Sequence, residues 1–189
     1  MVRGRPREFD EDQALDAALQ QFWKSGYEGT GLCDLEACTG LGRQSLYNAF
    51  GDKQAMFEKV LARYQEHYLK PLLDQLDAEG SPVENIRAVF DMWENGPKHG
   101  CLVSNSAAEF GAREERITRE LSRSIGRIEQ AFERALTRAR DAGELPESTD
   151  PKTLARLFTT LGQGISIVQK VKGPGFRTDA INAARAMLS

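Results

Sequence analysis

The side chains best suited to chemistry in this chain are Arg43, Gln44, Ser45, Tyr47 and Asn48, with Lys53 just beyond them. That chemistry is the reading of a nucleic-acid duplex. An arginine can bond guanine O6 and N7 bidentately, and glutamine or asparagine can bond adenine N6 and N7. Serine and tyrosine hydroxyls suit phosphate oxygens. A solvated helix face with no partner usually carries Glu/Lys pairs at helical spacing, and this run carries none. Asp52 is placed to cap a following helix, which puts Lys53 in its first turn. A cation there opposes the helix dipole. A phosphate bound at the same amides would remove the conflict.

Two helices joined by a glycine turn must position these groups. Leu32, Leu35 and Ala37 give a first short helix an apolar side, Gly40 supplies the C′ residue, and Leu41 plugs the angle. A second helix over Arg43–Phe50 buries Leu46 and Phe50, four apart, and leaves the polar run outward. This is a helix-turn-helix, whose second helix enters the major groove. Before it, Asp10 reads as an N-cap with Gln13 at N3 and Phe9 stapled onto Ala14. Ala14, Leu15, Ala18, Leu19, Phe22 and Trp23 then recur at helical spacing up to Gly26. The segment Arg3-Gly4-Arg5-Pro6-Arg7 is a thin basic arm suited to the minor groove, Arg3 and Arg5 being its candidate contacts.

Residues 9–64 resemble the N-terminal domain of the TetR family of transcriptional regulators. The resemblance rests on Ala14, Ala18, Phe22, Gly26, Tyr27, Thr30, Leu35, Gly40, Leu41, Leu46, Tyr47, Phe50, Lys53 and Phe57, above all on the run Ser45-Leu46-Tyr47-x-x-Phe50-x-x-Lys53. It implies an all-α protein with a helix-turn-helix domain over 9–52, preceded by the arm 1–8, and an effector-binding and dimerisation domain over 53–189. It adds Thr30 to the expected DNA contacts. It also implies a C2 dimer through the last two long helices, expected at 152–171 and 178–188, with Leu157, Leu161, Gly164, Ile165, Val168 and Ala184 at the interface. Two positions depart from the family pattern: Gly31 and Gly42 stand where Ser or Thr usually caps the motif helices. Glycine is a tolerable cap, so the fold is expected to hold while one hydroxyl per site is lost to phosphate.

The remainder of the chain reads as helix throughout. A long helix over 53–76 carries Met56, Phe57, Val60, Leu61 and Tyr64 inward and belongs to both halves; Pro71 is expected to kink or break it. Ser81 and Pro82 open a helix to about Glu94, and another follows from Cys101 to Phe110. The Gly-Cys-Leu-Val-x-Asn pattern at its start resembles one subgroup of TetR-family effector domains. An amphipathic helix covers 115–142, and Gly173-Pro174-Gly175 is read as a break before a last helix from about Thr178 to Leu188. The total is about nine helices, with no strand pattern. Phe90, Trp93, Cys101, Asn105, Phe110, Phe132, Phe158 and Gln163, aromatic with few polar groups, are the candidates for a small-molecule pocket.

Composition bounds the alternatives. With 189 residues and 40% apolar residues the chain can bury a core of one large domain or two small ones. Three cysteines, Cys33, Cys38 and Cys101, have neither disulfide nor metal-ligand spacing and read as reduced thiols, and the charged N-terminus does not read as a secretory signal, so a cytoplasmic location is expected. With two histidines, no phosphate loop and no nucleophile motif, neither an enzyme nor a cofactor is expected. The net charge of −3 argues against broad nucleic-acid affinity and for a local basic strip on an acidic body. The expected function is a ligand-responsive regulator, released from a palindromic operator when a small molecule binds the C-terminal domain. The alternative is a thiol-based sensor of oxidants or electrophiles acting through Cys101, beside His99 and near a helix N-terminus.

Overall fold

The computed structural model describes residues 10–111 and 113–189; the basic arm, with Arg3 and Arg5, and the Phe9 staple lie outside them. The described residues form helices and no strands: α1 (Glu11–Ser25), α2 (Leu32–Thr39), α3 (Arg43–Phe50), α4 (Lys53–Tyr64), a π-helical segment (Gln65–Leu69), α5 (Lys70–Leu76), α6 (Pro82–Glu94), α7 (Leu102–Phe110), α8 (Glu115–Asp141), α9 (Pro151–Val168) and α10 (Pro174–Ala186). With the unbroken run from Lys53 to Leu76 taken as one, they make nine helices. Two compact units result, Met1–Arg63 and Tyr64–Ser189. The first extends past the expected boundary at 52 because α4 is part of its core: the Phe57 ring meets Phe22 of α1 edge-on at 5.1 Å, and Arg63 bridges Asp12 and Asp16 of α1.

In the first unit, local chemistry sets the helix ends. The Asp10 carboxylate accepts from the amides of Asp12 and Gln13 and starts α1. Gly40 closes α2 at φ 69°, a left-handed conformation costly for any residue with a Cβ. Asp52 caps α4 by accepting from the Ala55 amide at 2.8 Å.

Pro71 does not break the helix it sits in. The π-helical segment precedes it, with the Lys70 amide bonded to the Gln65 carbonyl five residues back. The missing proline N–H therefore falls in the first turn after a change of hydrogen-bond register, where a proline is tolerated. The apolar stripe records the same change. Phe57, Val60, Leu61 and Tyr64 are buried, and the next buried position is Leu69, five residues on, while Tyr68 is 41% exposed.

In the second unit, α8 is the spine, packing against α9, α6, α7 and α5, and α10 closes over α6 and α9. The core brings together leucines of α5, Ile86, Val89 and Phe90 of α6, Ile128 to Ala139 of α8, and Phe158 and Ile165 of α9. Ser81 caps α6 through the Glu84 amide, with Pro82 at the first helical position as expected. The last helix starts at Pro174 rather than near Thr178. Gly173 takes the N-cap and Pro174 the first turn, where its fixed φ favours a helix.

Candidate nucleic-acid interface

Helix α3 is eight residues long, too short to be stable by itself. Its place is set by Leu46 and Phe50, which are 2% and 3% exposed. Arg43, Gln44, Ser45, Tyr47 and Asn48 all face solvent. Within that face the side chains are held in pairs. The Gln44 amide nitrogen donates to Asn48 Oδ1 at 3.1 Å, and the Arg43 guanidinium lies 5.6 Å from the centre of the Tyr47 ring. The Lys53 ammonium lies 4.3 Å above the Tyr27 ring. A depression of about 210 Å³, lined by Arg43, Tyr47, Gly51, Asp52 and Lys53 among others, runs between α3 and the start of α4.

The start of α3 lacks the side-chain cap that Gly42 cannot supply, and Glu36 fills the place. Its carboxylate, reaching back across the turn from α2, accepts from the Arg43 backbone amide at 2.7 Å. At α2 a carboxylate again takes part: Asp34 accepts from the Gly31 amide at 2.7 Å. Both glycines are thus accommodated by acidic side chains elsewhere, and the negative charge sits where the helix dipole favours it.

Thr30 is a correction to the expected contacts. It is fully buried, and its hydroxyl donates to the Gly26 carbonyl at 2.7 Å. That carbonyl ends α1 and has no helical partner of its own, so the hydroxyl serves the turn and not a phosphate.

The residues expected to line an effector pocket fall into two groups. Phe90, Phe132 and Phe158 have no exposed surface. Phe90 meets Phe158 edge-on at 5.0 Å, and Trp93 meets Phe132 at 5.7 Å. A Cβ at Gly162 would come within 2.7 Å of the Trp93 indole, so the two surfaces are in full contact. These phenylalanines belong to the core of the second unit. Phe110 is likewise buried. Trp93, Cys101, Asn105 and Gln163 are partly buried and lie beside polar groups. Gln163 Oε1 accepts from Ser104, and Asn105 donates to the His99 carbonyl while its own buried Oδ1 has no hydrogen-bond partner among the described residues. The Tyr64 hydroxyl donates to Cys101 Sγ at 3.2 Å. Burial first, and then the neighbouring thiol, push the Tyr64 phenol well above its usual range. Ser104 and Tyr64 were not among the expected residues; neither stands out in a sequence of amphipathic helices.

Of the expected dimer residues, Leu157 and Gly164 are exposed, and Leu161 and Val168 are partly so. Ile165 and Ala184 are buried in the core of their own chain, at 5% and 2% exposure. The apolar residues that do lie outward add Ile167, Val171, Phe176 and Met187. Among the described residues no cluster of three or more His, Cys, Asp or Glu is placed to hold a metal, and no helix is long and apolar enough to cross a membrane.

Comparison with known proteins agrees with this geometry. Residues 14–60 match the family model for bacterial regulatory proteins of the tetR family, and residues 82–186 match the tetracyclin repressor-like C-terminal domain. The chain belongs to the TetR family. It is a DNA-binding transcriptional regulator with an N-terminal helix-turn-helix. The HTH-type transcriptional regulator YezE of Bacillus subtilis is 35% identical, over 89% of this chain and 90% of that one. The HTH-type transcriptional repressor ComR of Escherichia coli is 32% identical, over 87% and 81%. Among solved structures, a cysteine-substituted form of the TetR family regulator CifR, complexed with 26-base-pair operator DNA, matches with a TM-score of 0.84 and 30% identity over 98% of each chain.

Proposed function

We propose that this TetR-family regulator is a homodimeric repressor that a small molecule releases from a palindromic operator. The observation that carries the reading is the outward polar face of α3: Arg43, Gln44, Tyr47 and Asn48 in solvent with Leu46 and Phe50 beneath. Arg43 and Gln44 reach base edges, while Ser45, Tyr47 and Lys53 take phosphates. One such helix reads few base pairs. Two related by a twofold axis read successive major grooves about 34–36 Å apart, which makes the operator a palindrome. The outward apolar residues of α9 and α10 supply the second copy's contact, among them Leu157 at 44% exposure and Phe176 at 46%. The names of ComR as a repressor and of CifR with operator DNA support the same reading.

The effector binds in the second unit, near Trp93, Asn105 and Gln163, where polar groups interrupt the aromatic core. Release follows only if the ligand prefers a conformer unfit for DNA. A swing between the two extremes needs about 5.5 kcal/mol of differential affinity. The protein acts by binding, without a catalytic step, in the cytoplasm where its DNA is. A gel shift against the DNA upstream of its own gene tests the reading: retardation lost on Arg43→Ala supports it, and indifference to every duplex at modest salt rejects it.

One observation favours a second reading, in which Cys101 is the sensor: its thiol is only partly buried and its sulfur accepts from the Tyr64 hydroxyl. Cys101→Ser separates the two. It abolishes the response on the second reading and spares it on the first.

A further inference from the structure

Lys53 stands in an unfavourable place when the protein is free. It is the first residue of α4, and a positive charge there faces the positive end of the helix dipole. Among the described residues no carboxylate or carbonyl holds its ammonium. What lies under it is the face of Tyr27, 4.3 Å from nitrogen to ring centre. That ring is itself fixed. Tyr27 follows the glycine that ends α1 and lies back over the helix, stacked with Phe22 at 6.1 Å and set edge-on to Phe57 at 5.1 Å. The negative face of an aromatic ring attracts a cation without using the hydrogens on the ammonium's far side.

We propose that Tyr27 is a positioning residue for DNA binding: its ring holds the Lys53 ammonium beside α3 in the free protein, with hydrogens free for a backbone phosphate. This rests on the reading of Lys53 as a phosphate contact. A lysine is a flexible point charge that loses much rotamer freedom when it binds. A ring that already confines it leaves less to lose when the duplex arrives.

The test is a double-mutant cycle on the full-length protein. The readout is affinity for a mixed-sequence duplex at low salt and the slope of log K against log salt. A phosphate contact is indifferent to sequence, so no operator is required. Lys53→Ala is expected to lower the slope by about 0.9 per subunit. Tyr27→Leu is expected to weaken binding roughly two- to fivefold per subunit, the span of an exposed cation–π contact, and Tyr27→Phe to leave it unchanged. In the Lys53→Ala background Tyr27→Leu is expected to have no further effect. Pentafluorophenylalanine at position 27, with the ring's shape but its face charge reversed, should behave as Tyr27→Leu does; it carries the test if thermal melting shows that the leucine variant has lost its fold. If Lys53→Ala weakens binding but the ring variants do not, or if their losses add in full to that of Lys53→Ala, the role of Tyr27 is refuted. A silent Lys53→Ala refutes the phosphate contact itself and the inference with it.

Discussion

Glu36→Ala should loosen α3 without altering any side chain of its outward polar face. The carboxylate accepts from the Arg43 amide at 2.7 Å and does the work of the hydroxyl that Gly42 lacks. A side-chain cap contributes about 1 kcal/mol, within a range of about 0.5–2. The negative charge at the helix N-terminus adds about 0.3–1 kcal/mol. Glu36→Gln keeps an acceptor and loses the charge, so it should cost only the second amount. The two together, a loss of about 1.3–2 kcal/mol, correspond to about 3–8 °C in melting temperature for a chain of this size, at about 2–4 °C per kcal/mol. Hydrogen exchange at the first amides of α3 localises it. The structure also specifies the rescue. Gly42 has φ −70° and ψ 158°, an ordinary cap conformation, and a Cβ there meets nothing within 4 Å. Gly42→Ser should therefore restore most of the stability that Glu36→Ala removes, and add less to the unaltered protein, whose cap is already made. A Glu36→Ala variant as stable as the parent, or a Gly42→Ser gain that is equal in both backgrounds, would refute the argument.

Three further outcomes follow from the same structure. Gln44→Ala should relax discrimination at one base pair of each half-site by about 1–3 kcal/mol, measured by competition between operator variants; uniform weakening on all sequences would assign Gln44 to the backbone instead. Leu157→Glu alters a side chain that is 44% exposed and outside the chain's own core, so sedimentation should show monomers while the melting curve of the monomer's core persists; an intact dimer would place the interface elsewhere. Arg185, hydrogen-bonded to Glu94, holds that carboxyl below the usual glutamate range, with Thr178 assisting. A depressed folded-state pKa contributes stability above the ordinary value near about 4.3, and the contribution is lost as pH falls through the depressed one. Solvent screening limits it to no more than about 1 kcal/mol, and Arg185→Ala should remove that part of the acid-side slope in melting temperature.

Most of the helix-turn-helix is legible from the sequence, because each step of the inference is local. Gly40 marks a turn, Leu46 and Phe50 share a face four residues apart, and the polar residues between them have nowhere to go but outward. What the sequence hides is side-chain reach across a turn. Glu36 and Arg43 are seven residues apart on different helices, and nothing in their spacing announces a cap. Thr30 enters the expected contacts through the family resemblance alone, and its acceptor, the Gly26 carbonyl four residues back, is seen only in the folded turn after α1. Helix α9 is apolar on more than one side, so periodicity could not separate Ile165, which faces its own chain's core, from Leu157, which does not. Phe90, Phe132 and Phe158 are expected in a pocket because they are aromatic with few polar groups, a composition that a packed core shares, and their rings lie against one another.

The π-helical segment ahead of Pro71 gives the long helix one residue more than its apolar stripe needs. In an ordinary α-helix a deletion rotates everything beyond it by about 100° and throws the buried set out of line. Between Tyr64 and Leu69 a deletion would do the reverse, shortening the gap from five residues to four and leaving both on a common face. The obstacle is the proline, whose ring would then press on the carbonyl four residues back. Pro71, expected to interrupt this helix, is thus what keeps it at its full length.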